Sequence, residues 1–262
     1  MIAFMLLALV GAPVREVRTQ ELLSSVIISG TCARGCQGDK RLFGTGEIVD
    51  RQGDGRLVVL TARHVIADMS DPRVYLRNGS PEGTPIIAAV RADRGLPARV
   101  IARSPDADLA LIAFRPEPDD AYDVATFSRD ASVEVGDVVG GPNGALWTVS
   151  HYRRVAAADD ATVVLCETCG PGDSGGGVFD RHGALAGILV SQQVFVRDDE
   201  PLADAARSTR FKIIPLADVR TFVKARQLAP APLAANDPWS RFGPATDAPP
   251  NAPSSSFSRF DH

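Results

Sequence analysis

The sequence predicts an all-β protein built as a barrel or a sandwich. Short segments rich in Val, Ile and Leu recur at a spacing of about 8–12 residues, with glycine-containing turns between them. A helical pattern is confined to Val65–Met69 and Pro215–Leu228. A chain of 262 residues, 45% of them hydrophobic, can bury a substantial core in one large or two small domains.

Strand candidates occur in both halves of the chain. In the first half they are Leu22–Gly30, the apolar run Leu57–Ile66, Val74–Arg77, Ile86–Val90 and the apolar run that begins at Leu109. In the second half they are Glu134–Gly140, Ala145–Tyr152, Thr162–Cys166, Gly177–Phe179, Leu185–Ser191 and Arg210–Ile214. Arg115–Asp123, which is acidic and contains prolines, is predicted to link the two halves.

The last ordered element is predicted to be a helix over Pro215–Leu228. Proline suits the first turn of a helix, and Arg and Lys lie toward the other end of this segment. Leu216, Val219, Phe222 and Val223 recur at helical spacing and would form its buried face.

The two ends of the chain differ from the part between them. Ile2–Val10 is almost wholly apolar, which resembles a signal-peptide core and is far shorter than the roughly 20 residues of a membrane span. No Lys or Arg precedes this run and Pro13 follows it, so a buried or frayed strand is the alternative. We expect residues 1–19 to be signal-like, the protein to be exported (periplasmic or secreted), and no integral membrane span. Residues 229–262, rich in Pro, Ala and Ser, are predicted to be disordered.

The net charge of −4, with no basic block, argues against a nucleic-acid partner. The oligomeric state cannot be predicted from the sequence.

The four cysteines form two close pairs, Cys32 with Cys36 and Cys166 with Cys169. In an exported protein an even number suggests disulfides, here with three possible connectivities. Two close pairs of cysteines are also typical of a zinc site with four thiolate ligands, and free structural thiols are a third alternative. We favour disulfides, and we expect neither a metal nor a cofactor.

The segment from Cys166 to Phe179 contains the sequence Gly172-Asp173-Ser174-Gly175-Gly176. Glycines let backbone N–H groups turn inward and approach a ligand closely. A serine on such a turn can present its hydroxyl to a carbonyl group, with N–H groups beside it to receive the negative oxygen. A tight glycine turn with an incidental serine is the alternative interpretation.

A serine nucleophile needs a base, and the base needs an orienting acid. Of the four histidines, His64 lies in the apolar strand-like run Leu57–Ile66, and Asp108 precedes another such run. Asp106 is the rival acid, since period-two alternation places both side chains on the same face. The order His64, Asp108, Ser174 differs from the orders in α/β-hydrolases and subtilisins.

Three blocks of this sequence resemble the signatures of trypsin-like (chymotrypsin-fold) serine peptidases. They are Thr61-Ala62-Arg63-His64-Val65, Asp108-Leu109-Ala110-Leu111 and Gly172-Asp173-Ser174-Gly175-Gly176. The surrounding sequence is similar to the bacterial DegP/HtrA and glutamyl-endopeptidase groups, and the resemblance covers about residues 22–228. The match to Asp-Leu-Ala-Leu favours Asp108 over Asp106.

The resemblance implies two antiparallel six-stranded β-barrels with the active site between them and a C-terminal helix. The peptidase domain would span residues 20–228, with halves at about 20–118 and 119–214 and the helix at 215–228. It further implies a serine endopeptidase that acts on polypeptides through an acyl-enzyme. Ser174 would be the nucleophile, His64 the base and Asp108 its partner, with the N–H groups of Gly172 and Ser174 as oxyanion hole.

Two departures from the animal trypsins limit this transfer. No Ile-Val-Gly-Gly block follows a basic residue, so the zymogen switch is not expected and the role of Asp173 is open. The position six before the serine holds Thr168 instead of an acid, so no preference for Lys or Arg is expected. The strand Leu189–Gln192 would line the substrate, which adds Val190, Ser191 and Gln192 to the substrate-binding candidates.

Two other functions remain as alternatives. A noncatalytic protein-binding module on the same fold would normally have lost a member of the triad, and none is lost here. The motif Gly-x-Ser-x-Gly also occurs in esterases of the α/β-hydrolase type. Such an enzyme needs its catalytic histidine late in the chain, where only His182 and His262 remain.

Overall fold

The computed structural model describes residues 23–33, 41–76, 95–129, 138–143, 148–158, 161–166, 172–180, 182–193 and 210–227. For residues 41, 138–143, 148–158, 161–166, 191–193, 210–211 and 227, the part that is described is the backbone alone. The signal-like segment, the tail from residue 229 and the strand candidate Ile86–Val90 lie outside the described residues.

The first half of the chain forms a closed six-stranded barrel. Its elements are β1 (Ser25–Cys32), β2 (Arg41–Arg51), β3 (Leu57–Ala62), the one-turn helix α1 (Arg63–Ala67), β4 (Met69–Tyr75), β5 (Leu96–Arg103) and β6 (Leu109–Phe114). The strands pair antiparallel in the order β1-β2-β3-β6-β5-β4, and pairing of β1 with β4 closes the sheet.

The second half forms a second closed sheet of six strands and ends in a helix. Its elements are β7 (Val138–Asn143), β8 (Thr148–Ala158), β9 (Ala161–Cys166), β10 (Gly177–Phe179), β11 (Leu185–Gln193), β12 (Arg210–Pro215) and α2 (Leu216–Gln227). The order is β10-β11-β12-β9-β8-β7, closed where Phe179 pairs with Gly140.

The all-β prediction with two antiparallel six-stranded barrels and a C-terminal helix is confirmed. The α/β-hydrolase alternative is wrong, because that fold needs a mostly parallel sheet covered by helices.

The first barrel differs from the prediction in several places. Strand β1 spans Ser25–Cys32 instead of Leu22–Gly30, and β2 and β5 were not among the strand candidates. The helix begins at Arg63 and ends at Ala67, whereas Val65–Met69 was expected, and β4 begins at Met69 instead of Val74. The reason is long-range pairing: Cys32 lies opposite Met69, and Thr31 opposite Ser70. Pairing with β1 therefore overrides the local helical pattern at the start of β4.

The hydrophobic core is continuous between the two barrels. Every residue of β3 and β6 is buried, as expected for strands with uninterrupted apolar runs. The same cluster of buried side chains reaches Phe179 and Leu185 in the second barrel and Phe222 of α2. Because burial is shared in this way, the barrels hold each other in place.

The connection between the barrels is tied to the first one. The amide of Asp123 donates to the carbonyl of Leu23 (3.2 Å), and that of Ala125 donates to Ile48 (2.8 Å). The Arg220 guanidinium of α2 donates to the carbonyl of Ser128 farther along the connection. None of the helices in the described ranges combines the length and the apolar character that a bilayer span requires.

Candidate active site

His64 is placed by the junction of β3 and α1. The strand ends at Ala62, and the helix begins at the next residue. Val65 and Ile66 are buried and anchor the helix, whereas 48% of the His64 side chain is exposed. A substrate can therefore reach the imidazole, although its backbone is fixed by the core.

Asp108 is brought to His64 by the pairing of β3 with β6. Ala62 lies opposite Leu109, so the residue before β6 meets the residues after β3. Asp108 Oδ2 is 2.6 Å from His64 Nδ1, and Asp108 Oδ1 accepts the His64 amide at 2.9 Å. The Arg63 amide also donates to the Asp108 carbonyl (3.1 Å). With the carboxylate ionised, Nδ1 carries the proton, and Nε2 is left as an acceptor.

The loop before β6 is held by Arg63, a residue that the sequence analysis did not single out. Its guanidinium Nη1 donates to the carbonyls of Ser104 (2.9 Å) and Pro105 (3.3 Å). Ser104 Oγ in turn accepts the amide of Ala107 (3.1 Å). Asp106, the rival acid, is exposed on this loop. The only signal for Arg63 in the sequence is its position next to His64.

The Ser174 loop belongs to the second barrel but is bound to the first through Thr45 of β2. The Thr45 amide donates to the carbonyl of Ser174 (2.9 Å), and Thr45 Oγ1 donates to that of Gly172 (2.8 Å). The Thr45 carbonyl accepts the hydroxyl of Thr61, which lies three residues before His64 (2.7 Å). The serine loop and the histidine segment therefore bind the same residue.

Gly175 makes this close approach possible. A Cβ at this position would lie 2.1 Å from the Thr45 carbonyl oxygen and 2.3 Å from Thr61 Oγ1. Its φ of +89° is also a conformation that other residues rarely adopt. Gly172 shares the positive φ, at +104°, but has open space around it. The glycines on both sides of Ser174 are thus required by the shape of the loop.

The amides of the serine loop differ in whether they donate hydrogen bonds within the protein. The Gly175 amide donates to the carbonyl of Leu189 (2.7 Å) and the Gly176 amide to the carbonyl of Asp173 (3.0 Å). Across the described part of the chain, the amides of Gly172 and Ser174 donate no hydrogen bond. These are the two N–H groups that the resemblance assigns to the oxyanion hole. The Asp173 side chain is buried.

The predicted substrate-binding residues are described only in part. Val190 is buried in β11. Ser191 and Gln192 continue β11, where their backbones pair with Lys212 and Phe211 of β12. Their side chains, and the whole of Thr168, lie outside the described residues.

Cys32, at the end of β1, is disulfide-bonded. A disulfide removes the thiolate that a four-cysteine zinc site would require, so the zinc alternative is wrong for Cys32. Cys36, Cys169 and the side chain of Cys166 lie outside the described residues, so the disulfides expected for these cysteines stay a prediction. Within the described ranges no group of three or more His, Cys, Asp or Glu side chains could hold a metal ion.

Comparison with known proteins agrees with this architecture. The chain is similar to the Rv3671c protease from M. tuberculosis in its active form, with 21% sequence identity and a TM-score of 0.57. The similarity covers 85% of this chain and 88% of that chain, and it concerns the fold. No curated protein matches the chain. A family model described as a trypsin-like peptidase domain matches residues 44–188. Since that match spans more than half of the sequence, the chain belongs to the trypsin-like peptidase domain family.

Proposed function

We propose that this protein is a serine endopeptidase in which Ser174, His64 and Asp108 form the catalytic triad. The observation that carries the proposal is the double contact between Asp108 and His64, which fixes the imidazole by its Nδ1 side. This leaves Nε2 to accept the hydroxyl proton of a serine. The attachment of the Ser174 loop to Thr45, which is bonded to Thr61 of the histidine strand, supports the same assignment.

The reaction would proceed in two stages. Ser174 Oγ attacks the carbonyl carbon of the peptide bond, and His64 Nε2 takes the hydroxyl proton. The N–H groups of Gly172 and Ser174 stabilise the oxyanion, which then collapses and expels the amine with the proton from His64. In the second stage His64 takes a proton from water, which attacks the ester between the acyl group and Ser174. The tetrahedral intermediate then collapses, Ser174 Oγ leaves with the proton from His64, and the carboxylic acid product is released.

Labelling with a fluorophosphonate probe tests the nucleophile. The wild-type protein should be labelled, and S174A should not. H64A should lower the rate of labelling and of peptide cleavage about 1,000-fold or more, since the serine loses its base. H182A is the matched control, because His182 is an exposed histidine in the turn between β10 and β11. Absence of labelling in the folded wild-type protein would contradict the proposal and favour the noncatalytic binding module.

For the substrate we propose a polypeptide without a basic preference at the cleavage site. Thr168 replaces the acid that binds Lys or Arg in trypsins, and no charged residue is among the candidates Val190, Ser191 and Gln192. Cleavage of a peptide library, with the products identified by mass spectrometry, tests this. Enrichment of Lys or Arg before the cleaved bond would contradict it.

We also propose that the protein is exported. The disulfide of Cys32 supports an oxidising compartment, because disulfides seldom persist in the cytosol. Fractionation of the producing cells and N-terminal sequencing of the mature protein test this. A mature protein that is found in the cytosol and begins at Met1 would contradict it.

A further inference from the structure

Glu47, on β2, is a buried acid that the proposed mechanism does not use. It has no exposed surface. One carboxyl oxygen, Oε2, accepts the hydroxyl of Ser24 (3.0 Å), and both oxygens accept that of Ser25 (2.9 and 3.0 Å). The other oxygen, Oε1, also accepts the amide of Gly177 (2.9 Å). Glu47 thus joins the start of the first barrel to the first residue of β10.

Gly177 lies three residues after Ser174 and is fitted closely to this acid. A Cβ on Gly177 would lie 2.8 Å from Cγ and 2.9 Å from Cδ of Glu47. No larger residue could occupy the position without displacing the Glu47 side chain or that of Leu185, which is 2.7 Å away. The third glycine after the serine is therefore explained by its contact with Glu47.

Glu47 and Thr45 act on the two ends of the same segment. They are two residues apart on β2, so their side chains lie on the same face of the strand. Thr45 binds the carbonyls of Gly172 and Ser174, and Glu47 binds the amide of Gly177. Together they fix the backbone before and after the proposed nucleophile.

Burial of the Glu47 carboxyl costs free energy, because the group loses its contact with water. Its burial raises the pKa of Glu47 to about 8, although the bonds from Gly177, Ser25 and Ser24 oppose the shift. In the part of the chain that the structure describes, the groups that act on the carboxyl are these hydroxyls and this amide, and no charged side chain is among them. A leucine would fill the same volume without this cost. What leucine could not supply is an acceptor for the Gly177 amide.

We propose that Glu47 is a positioning residue that holds the backbone after Ser174 through the Gly177 amide, and that Ser24 and Ser25 orient its carboxyl for this purpose. This inference rests on the proposed function for its effect on catalysis. The position of the loop can be measured without any activity, so the two can fail separately.

The test compares three variants with the wild type. E47L keeps the volume but removes the acceptor, whereas E47Q keeps an acceptor oxygen for Gly177. V49A is the matched control, because Val49 is equally buried two residues farther along β2. S25A is a milder variant that removes one orienting hydroxyl and keeps the test decisive if E47L does not fold.

Peptide hydrolysis gives the first readout. In E47L, kcat should fall about 10- to 100-fold with KM changed less than about threefold. The reason is that displacement of the nucleophile disturbs its alignment with the substrate carbonyl more than it weakens substrate binding. S25A should lower kcat by a smaller factor, and E47Q should restore kcat to within about threefold of the wild type. V49A should lower the melting temperature and leave kcat unchanged. Equal losses of kcat in E47L and E47Q, or a loss in E47L and S25A no greater than in V49A, would overturn the proposal.

Amide hydrogen exchange gives the second readout. The peptide that contains Gly175–Phe179 should exchange faster in E47L than in the wild type, and at wild-type rates in E47Q and V49A. Unchanged exchange of this peptide in a folded E47L would overturn the positioning role, whatever the activity shows. Conversely, if S174A cleaved peptides like the wild type, the proposed function would fail while faster exchange in E47L still supported the contact.

Discussion

Thr45 Oγ1 donates a hydrogen bond to the carbonyl of Gly172 at 2.8 Å, and this bond crosses from the barrel of His64 to the loop of Ser174. The Thr45 backbone amide makes a second bond, to the carbonyl of Ser174 (2.9 Å). The proposed nucleophile and its proposed base come from different barrels, so their separation depends on such contacts. Thr45 is fully buried, which excludes water as a competing partner.

Replacement of Thr45 by valine should therefore impair catalysis. The variant keeps the size of the side chain but leaves the Gly172 carbonyl without its donor, at a cost of about 1–3 kcal/mol. We expect kcat to fall about tenfold and the melting temperature to fall by several degrees. T221V is the control, since the Thr221 hydroxyl bonds within the exposed side of α2 (2.9 Å to Ala217). A T45V enzyme with the wild-type kcat would show that the loop is held without this bond.

The two acids before β6 give a paired test of the proposed triad. Asp108 contacts both the ring and the amide of His64, whereas Asp106 is exposed. D108N should lower kcat about 10⁴-fold, because an amide stabilises the wrong tautomer of the imidazole and cannot stabilise its cation. D106N should leave kcat unchanged. Steady-state kinetics of the two variants decide the matter, and a larger loss in D106N would reverse the assignment.

The all-β class could be predicted from the sequence because many of its strands are marked by strong local patterns, whereas the two-barrel architecture was predicted from the resemblance to a known family. The continuous apolar run that begins at Leu57 and the one that begins at Leu109 became β3 and β6, both buried throughout. The helix α2 buries Leu216, Val219, Phe222 and Val223, the four residues that its periodicity selected. Such patterns depend on residues that are close in the chain, and they can be read without knowledge of the fold.

Contacts between distant segments could not be read in this way. Nothing near Glu47 in the sequence indicates that its carboxyl meets Gly177, 130 positions away. Arg63 likewise reaches Ser104 only because β3 and β6 pair. The choice of Asp108 over Asp106 rested on a resemblance, since the alternation of side chains along a strand places both acids on the same face. In each case the missing information was which strands become neighbours.

Arg63 should be required for the position of Asp108. Its guanidinium donates to two carbonyls of the loop that carries this acid, and R63M removes both bonds while keeping much of the apolar stem. We expect kcat to fall about tenfold, with a smaller change in KM, because the imidazole loses alignment. R103M is the control, as Arg103 is exposed on β5 next to this loop. Equal kinetics of R63M and R103M would contradict a role for Arg63 in positioning.

The buried carboxyl of Glu47 should make the stability of the protein depend on pH. Its pKa is about 8 in the folded protein against 4.5 in the unfolded chain, so between these values the folded state alone holds the proton. The free energy of unfolding should then decrease as the pH rises from 4.5 to 8, by about 1.4 kcal/mol per pH unit. E47Q cannot ionise, so the difference in stability between E47Q and the wild type should grow across this window. Urea denaturation of both proteins at pH 5, 6, 7 and 8 measures it, because the contributions of the other groups cancel in the difference. A difference that stays constant with pH would show that Glu47 does not keep its proton on folding.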